Sequence, residues 1–345
     1  MGAPQALSRE YRRILVRSPN WIGDAVMATP ALGALRSAFP KATLVVAAPP
    51  GVADLFRPHP YCDGALDYDR RGRHRGLRGV LRFAWELRRE CFDLAILLQN
   101  AMEAAILARL AGIPQRAGYR TDLRGPLLTH GVPVGVRERR LHHTEYYRNM
   151  LAKIGIAGGA ERLRLSCTAE EQDWAGKTLG PGRWIAIHPG AIYGSAKRWF
   201  PERFAAVADL LAASRDARIV LVGGGDAIDA ARTVELTMKH RPCNLAGITS
   251  IRQFMAILET CSLLITNDSG PMHVGAALGV PIVAIFGPTD HTTTSPRAVR
   301  YRLVRKPTDC APCLKRHCPT DHRCMTAIAV EDVIQAATEL LENSS

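Results

Sequence analysis

No stretch of this chain approaches the roughly 18 uninterrupted apolar residues that a membrane-spanning helix requires, which leaves a transmembrane reading without a segment. Residues 1–6 lack the apolar core of a secretory signal, and Ala6 stands where a myristoylation site needs Ser or Thr. A cytoplasmic protein is therefore expected. Aromatic residues make up only 6% of the sequence, few for a protein that stacks on single-stranded nucleic acid. Walker A, HExxH and GxSxG sequences do not occur, which removes P-loop nucleotidases, zincins and α/β-hydrolases from the candidates. There is no internal repeat and no long low-complexity tract.

What is present is a chain of 345 residues, 47% hydrophobic and 22% charged, enough for two globular cores. Its net charge of +13 is unevenly spread: residues 1–165 hold 26 Lys+Arg against 14 Asp+Glu, and residues 166–345 hold 19 against 18. A basic half-chain suits an anionic partner such as nucleic acid, acidic lipid or a phosphorylated sugar. The basic stretches are residues 70–78, with Arg71, Arg73 and Arg75, and residues 137–140. Of nine cysteines, Cys62, Cys91, Cys167, Cys243 and Cys261 are scattered like reduced cytosolic thiols. Cys310, Cys313, Cys318 and Cys324 cluster, a spacing that suits a structural tetrahedral zinc site, with free thiols as the alternative.

Residues 263–290 organise the second half. An apolar run fit for a buried strand is followed by Asn267-Asp268-Ser269-Gly270-Pro271, small polar residues that start a helix. The helix stops at Gly279, and a second apolar strand covers residues 281–286. The turn after the first strand offers free N–H groups at a helix N-terminus, a seat for phosphate or diphosphate. Further strands are expected at residues 13–17, 44–48, 93–99, 116–119, 184–187 and 218–222. Helices are expected at residues 25–38, 101–111, 142–154, 202–213, 227–239, 251–261 and 330–341. Two successive strand–helix series predict an α/β chain of two doubly wound parallel sheets. The junction falls between about residues 157 and 180.

Ligands of such sheets lie beyond the C-terminal strand ends. Four loops qualify. Residues 20–24 place Asp24 at a helix start, where it acts on a ligand or merely caps the helix. Residues 188–199 form a glycine-interrupted loop ending in Lys197-Arg198, suited to a diphosphate. Gly223-Gly224-Gly225-Asp226 allows close backbone approach, with Asp226 able to hold a ribose. Residues 267–273 are the fourth.

The residues Asn20-Trp21-Ile22-Gly23-Asp24 with Thr29-Pro30-Ala31-Leu32, His188-Pro189-Gly190 through Lys197-Arg198-Trp199, and Asn267 through His273 resemble the ADP-heptose:lipopolysaccharide heptosyltransferases of glycosyltransferase family 9, type II more than type I. The resemblance runs from about residue 13 to residue 337. It implies a GT-B fold of two Rossmann-like domains facing a cleft: residues 1–165 for the acceptor, residues 166–326 for the ADP-sugar, and a last helix in residues 327–345 packing back on the first domain. It implies inverting transfer of L-glycero-D-manno-heptose to the heptose–Kdo–lipid A inner core of lipopolysaccharide, without a catalytic metal or other required cofactor. Partners would be ADP-heptose and an anionic lipid A–core acceptor, the latter bringing the enzyme to the cytoplasmic face of the inner membrane. Asp24 then matches the general base. Gly23, Ile192, Tyr193, Lys197, Asp226, Thr249, Asp268, Ser269, Gly270 and His273 match the donor site. Ile192-Tyr193 stand where some relatives have paired threonines, so contact there would come from backbone N–H. Arg71, Arg73, Arg75 and Arg120 are candidate acceptor contacts. The rivals are a GT-B-like epimerase that binds a UDP-sugar without an acceptor, and a basic nucleic-acid-binding protein, for which no motif is visible.

Overall fold

The computed structural model describes residues 7, 10–159, 161–215 and 217–342, so the residues 1–6 read for a leader and Ala160 of the glycine-rich junction lie outside the described residues. The chain divides after Ser166 into two units.

In the first unit the strands are β1 (Arg13–Arg17), β2 (Thr43–Ala48), β3 (Gly64–Asp67), β4 (Leu94–Leu97), β5 (Gln115–Tyr119) and β6 (His130–Val132). Its helices are α1 (Ile22–Met27), α2 (Thr29–Ala38), α3 (Gly76–Arg89), α4 (Met102–Leu110), α5 (Val136–Arg139) and α6 (His143–Ala152). The strands lie in the order β3-β2-β1-β4-β5-β6, all parallel. Central strands such as β1 and β4 are apolar and buried almost throughout, because helices cover both faces of a parallel sheet. The helix expected over residues 25–38 is two, α1 and α2, meeting at Ala28 with Pro30 in the first turn of the second. Proline is favoured there, since its missing N–H is one the helix start leaves unpaired. Helix α3 and strands β3 and β6 were not anticipated. Helix α3 keeps a helical apolar spacing between its arginines, with Gly79, Phe83, Ala84 and Leu87 buried, and the two strands are short.

The second unit repeats the plan. Strands β7 (Arg183–His188), β8 (Ala217–Leu221), β9 (Cys243–Asn244), β10 (Leu263–Asn267), β11 (Ile282–Ile285) and β12 (Tyr301–Val304) lie in the order β12-β11-β10-β7-β8-β9, again parallel. The helices are α7 (Ala169–Leu179), α8 (Pro201–Arg215), α9 (Ile228–Thr237), α10 (Ile251–Thr260), α11 (Gly270–Leu278), α12 (His291–Thr294), α13 (Arg323–Thr326) and α14 (Val330–Glu342). Gly279 ends α11 with φ of 80°, a left-handed cap that glycine takes without steric cost. The last helix packs within the second unit. Val333, Ala336, Ala337, Leu340 and Leu341 of α14 belong to the second unit's own core, packed on α8 and strands β10–β12. Its apolar stripe is used up there, and Lys306–Asp332 at 2.6 Å ties its first turn to the end of β12.

Both sheets reverse strand order once, between β1 and β4 and between β7 and β10. At these points the loops leaving adjacent strands go opposite ways and open a crevice. No helix among the described residues is long and apolar enough to cross a membrane.

Candidate functional site

The first unit's crevice is a cavity of about 500 Å³ lined by Pro19, Asn20, Trp21 and Asp24 after β1, by Leu98, Gln99 and Asn100 after β4, and by residues of α5, α6 and the turn between them. Asp24 does not cap its helix. The capping position of α1 belongs to Trp21, and no side chain satisfies the first-turn N–H groups. The Asp24 carboxylate instead accepts a hydrogen bond from Nδ1 of His143, the first residue of α6, at 2.9 Å. The partners are 119 residues apart and meet because α6 packs across α1 and α2.

The cavity wall is held from beneath by two buried arginines. Arg17 donates to the carbonyls of Ser18 (2.7 Å) and Ala47 (3.2 Å) and to Asn20 Oδ1 (2.8 Å), which orients Asn20. Arg124 donates to the carbonyls of Tyr119 (2.8 Å), Leu97 (3.3 Å) and Gln99, and to Asn100 Oδ1 (3.3 Å). Burial lowers both guanidinium groups to about 10, so both remain charged at neutral pH. Asn100 Nδ2 in turn donates to the Tyr146 hydroxyl at 3.0 Å. Gln99 Oε1 is buried and has no hydrogen-bond partner among the described residues. Burial, reinforced by the nearby charge of Asp24, pushes the Tyr147 phenol well above its ordinary range and keeps it protonated. Gln99, Asn100, His143, Tyr146 and Tyr147 were not singled out from sequence, and Arg139 was read only as part of the basic stretch 137–140. The strand-order rule would have found Gln99 and Asn100, since they end the apolar run that becomes β4.

The arginines proposed for an acceptor do not line this cavity. Arg71, Arg73 and Arg75 are exposed in the turn before α3, where Asp69 accepts the N–H groups of Arg71, Gly72 and Arg73 at 3.1, 2.8 and 3.2 Å. Arg73 also pairs with Glu86 at 2.6 Å. Arg120 is exposed after β5. Arg139 takes their place at the cavity. Gly23 lies beside Asp24 in α1.

The second unit's crevice gathers most of the residues read as a donor site. Asn267, at the end of β10, donates to the carbonyls of Pro189 (2.9 Å) and Gly190 (3.2 Å) and accepts from the Trp199 N–H (3.0 Å), locking the loop after β7 to the loop after β10. Lys197 Nζ then lies 2.6 Å from Asp268 Oδ2, and the same oxygen accepts from Thr289 Oγ1 at 2.6 Å. Arg198 is spent on the Ala191 carbonyl, at 3.3–3.4 Å, and so leaves Lys197 as the loop's cation at this point. Ser269 occupies the capping position of α11 but does not cap it; its hydroxyl contacts His188 Nδ1 and Thr266 Oγ1, each at 3.3 Å. Gly270 opens α11, and His273 is buried in its first turn.

His188 itself is fully buried, and burial pushes its imidazole down to about 4, so it is neutral at physiological pH. Its Nε2 faces Asp226 Oδ2 at 3.8 Å. Gly190 is required by close approach: a Cβ there would sit 2.9 Å from the backbone Cα of Ala227. The Gly247 N–H donates to the Gly223 carbonyl at 2.8 Å and draws the turn that holds Thr249 towards the glycine loop before Asp226. Lys197, Asp226, Asp268, Ser269 and Gly270 thus stand around one strand-order reversal.

Ile192 and Tyr193 are largely exposed, and Tyr193 serves a purpose the sequence did not reveal. Its hydroxyl donates to the Leu314 carbonyl at 2.7 Å, its ring lies 5.0 Å from Lys197 Nζ, and the Arg316 guanidinium is 5.4 Å from the same ring. The Ala196 N–H donates to the Arg316 carbonyl (3.0 Å), and His322 Nε2 donates to the Ala196 carbonyl (2.7 Å). Ser195 Oγ meets His317 Nδ1 at 3.0 Å. The cysteine-rich segment is therefore a strap over the Lys197 loop. Its Cys310, Cys313, Cys318 and Cys324 form no disulfide, and Cys310, Cys313 and Cys318 lie close enough to Cys324 to add to the burial that raises its thiol. Carbonyl, imidazole and ring contacts tie the strap to the loop beneath it.

A family model described as glycosyltransferase family 9 (heptosyltransferase) matches residues 80–323. The chain is 31% identical to lipooligosaccharide heptosyltransferase 2 of Campylobacter jejuni over 96% of this chain and 99% of that protein. Among solved structures it is similar to a family 9 glycosyltransferase of Veillonella parvula, at 27% identity and a TM-score of 0.88 over 99% of this chain and all of that one. It is also similar to the ADP-heptose lipopolysaccharide heptosyltransferase II of Escherichia coli, at 27% identity and a TM-score of 0.82 over 96% of this chain and 99% of that one.

Proposed function

This chain belongs to glycosyltransferase family 9, the heptosyltransferases, and from that premise we propose that it moves L-glycero-D-manno-heptose from ADP-heptose to the heptose–Kdo–lipid A inner core of lipopolysaccharide, with inversion. Its fold is the GT-B kind of α/β architecture, and its activity is that of a glycosyltransferase of lipopolysaccharide core synthesis, type II fitting its relatives best.

In this reading the second unit takes the donor. The diphosphate lies against the N–H groups at the start of α11 and the Lys197 ammonium, and Asp226 holds the ribose. Thr249, His273 and the backbone of Ile192 and Tyr193 complete the donor contacts, with Gly23 beside the base. The first unit's cavity takes the acceptor sugar, with Gln99, Asn100 and Arg139 as hydrogen-bond partners, while the exposed Arg71, Arg73, Arg75 and Arg120 attract the phosphorylated lipid around it.

The reaction is a single displacement. Asp24 accepts the proton of the acceptor hydroxyl as that oxygen bonds to the anomeric carbon of heptose. The bond from that carbon to the diphosphate oxygen breaks, and ADP departs with the electron pair on the opposite face. Helix α11 and Lys197 take up the charge that develops on the leaving group, so no step calls on a metal or other cofactor. His143 holds the Asp24 carboxylate in position. The chain's relatives are heptosyltransferases, which favours transfer over epimerisation of the sugar nucleotide. The observation that carries the reading is this carboxylate, directed to a 2.9 Å partner instead of a helix cap, in the wall of an open cavity at the first sheet's reversal point.

The deciding experiment incubates the protein with ADP-heptose and a defined heptose-deficient core and weighs the product by mass spectrometry. A gain of one heptose with release of ADP is expected. Hydrolysis or epimerisation of the sugar nucleotide without transfer would reject the reading.

A further inference from the structure

Helix α3 has two apolar faces, and only one is used by the fold. Gly79, Phe83, Ala84 and Leu87 are buried, packed with Tyr68, Phe92 and residues of α4 in the first unit's core. Leu77, Leu81 and Trp85, spaced four residues apart, form a second stripe beside that face. They are 76%, 50% and 58% exposed, unusual for three large apolar side chains in a row on one helix.

The rim of this stripe is arginine. Arg78, Arg82, Arg88 and Arg89 are exposed along the helix, and Arg71, Arg73 and Arg75 in the turn before it. The Arg89 guanidinium lies 4.8 Å from the centre of the Trp85 ring. Glu86, the carboxylate within the helix, is matched by Arg73 at 2.6 Å and Arg82 at 3.3 Å. Arg71, Arg75, Arg78, Arg88 and Arg89 have no carboxylate partner among the described residues. The face is therefore apolar along its centre and strongly positive at its border.

We propose that α3 is a membrane-docking helix, which seats Leu77, Leu81 and Trp85 among the acyl chains of an anionic lipid bilayer and its arginines among the lipid phosphates. Each candidate occupant makes its own demand on the surface. A second copy of this chain would bring one arginine rim against another. A nucleic acid would use the charge but leave the leucine stripe without a function. An anionic bilayer uses both, since an interfacial helix places Leu and Trp at the acyl boundary and lets long basic side chains reach up to the headgroups. The core face pins α3 along its length, so the helix would lie in the plane of the interface without inserting across it. The proposal concerns a surface outside the cavity and both crevices; it shares Arg71, Arg73 and Arg75 with the acceptor reading, and its test varies Leu77, Leu81, Trp85, Arg78 and Arg88, which that reading does not use.

The test is co-sedimentation of the full chain with vesicles of phosphatidylcholine alone or phosphatidylcholine with phosphatidylglycerol. Capture by the anionic vesicles is expected, weakened by salt, with little capture by the neutral ones. The triple variant Leu77→Ser, Leu81→Ser, Trp85→Ser should bind anionic vesicles about tenfold or more weakly. Because these side chains are exposed, its melting temperature should match the wild type and confirm that it is folded. Arg78→Gln with Arg88→Gln should also weaken capture, and should flatten its salt dependence. Equal capture of wild type and triple variant would overturn the proposal, as would absence of capture by anionic vesicles. A dimer in sedimentation velocity that the triple variant dissolves would assign the stripe to a second copy and overturn it too. Nucleic-acid binding lost in the triple variant, without vesicle binding in the wild type, would do the same.

Discussion

The Lys197 ammonium lies 2.6 Å from the Asp268 carboxylate, and both side chains are largely buried. A cation held in place by a carboxylate is already oriented for a phosphate at the adjacent start of α11, where helix N–H groups converge. Replacing Lys197 with Ala removes a charge-assisted contact to the diphosphate and leaves Asp268 with Thr289 alone. ADP affinity should fall by about 1.5–3 kcal/mol in calorimetry. The melting temperature should also drop, since a buried carboxylate loses its counter-charge. Unchanged ADP affinity would remove Lys197 from the donor site.

The strap gives a second way to reach the same loop without touching a charge. A Cβ on Gly194 would come within 2.2 Å of the Arg316 carbonyl, a backbone atom that cannot turn aside. Gly194→Ala should therefore push the strap away and break the Ala196–Arg316 and Tyr193–Leu314 hydrogen bonds. The expected result is weaker ADP binding by several-fold, with faster proteolysis confined to residues 305–322. Proteolysis without loss of ADP affinity would mean that the strap does not position Lys197.

How far the sequence reveals this architecture depends on what each element buries. Strands β1, β7 and β10 show as apolar runs because parallel strands are covered on both faces. The loop of residues 267–273 shows because small polar residues before Pro271 can only start a helix. Helix α3 was missed although positions 79, 80, 83, 84 and 87 keep a helical apolar spacing between its arginines, a period that a search for buried runs passes over. The strap was missed because it is held by carbonyl groups, which every residue has. His143 has no local signature either: it becomes a site residue only when α6 crosses α1. The last helix shows as an element because its apolar stripe keeps helical spacing.

A further prediction concerns acid stability. Burial lowers the His188 imidazole to about 4 and lowers His130 in the same direction, against an unfolded value of about 6.5. Below that value the unfolded chain binds protons that the folded one refuses, so stability is full above pH ~6.5 and declines towards pH ~4. Thermal melts across that window should show falling stability in the wild type, and a shallower slope in His188→Gln. Equal slopes would place the acid sensitivity elsewhere.

Charge gives a prediction for the acceptor. If the arginines of the first unit attract a phosphorylated lipid, the acceptor KM should rise with ionic strength while the donor KM moves less. Steady-state kinetics over a salt series measures both. Equal sensitivity would count against the acceptor role of Arg71, Arg73, Arg75 and Arg120.

Asp24 and His143 form the pair on which proton transfer turns. Asn at position 24 would still accept the hydrogen bond from His143 Nδ1, which spans 2.9 Å, so the cavity should keep its shape while losing the base. Asp24→Asn should lower kcat about 10²-fold or more, with melting temperature and ADP affinity nearly unchanged. His143→Ala removes the partner that orients the carboxylate but leaves the base itself, so a fall nearer tenfold is expected. Because the two act as a unit, the double variant should be no slower than Asp24→Asn alone. The reverse assignment, in which the imidazole takes the proton and Asp24 merely orients it, makes a different forecast. His143→Ala would then fall as far as Asp24→Asn, and the acid limb of kcat/KM would shift with the His143 variant. Retention of more than about a third of kcat in Asp24→Asn would exclude a catalytic role for Asp24 in either assignment.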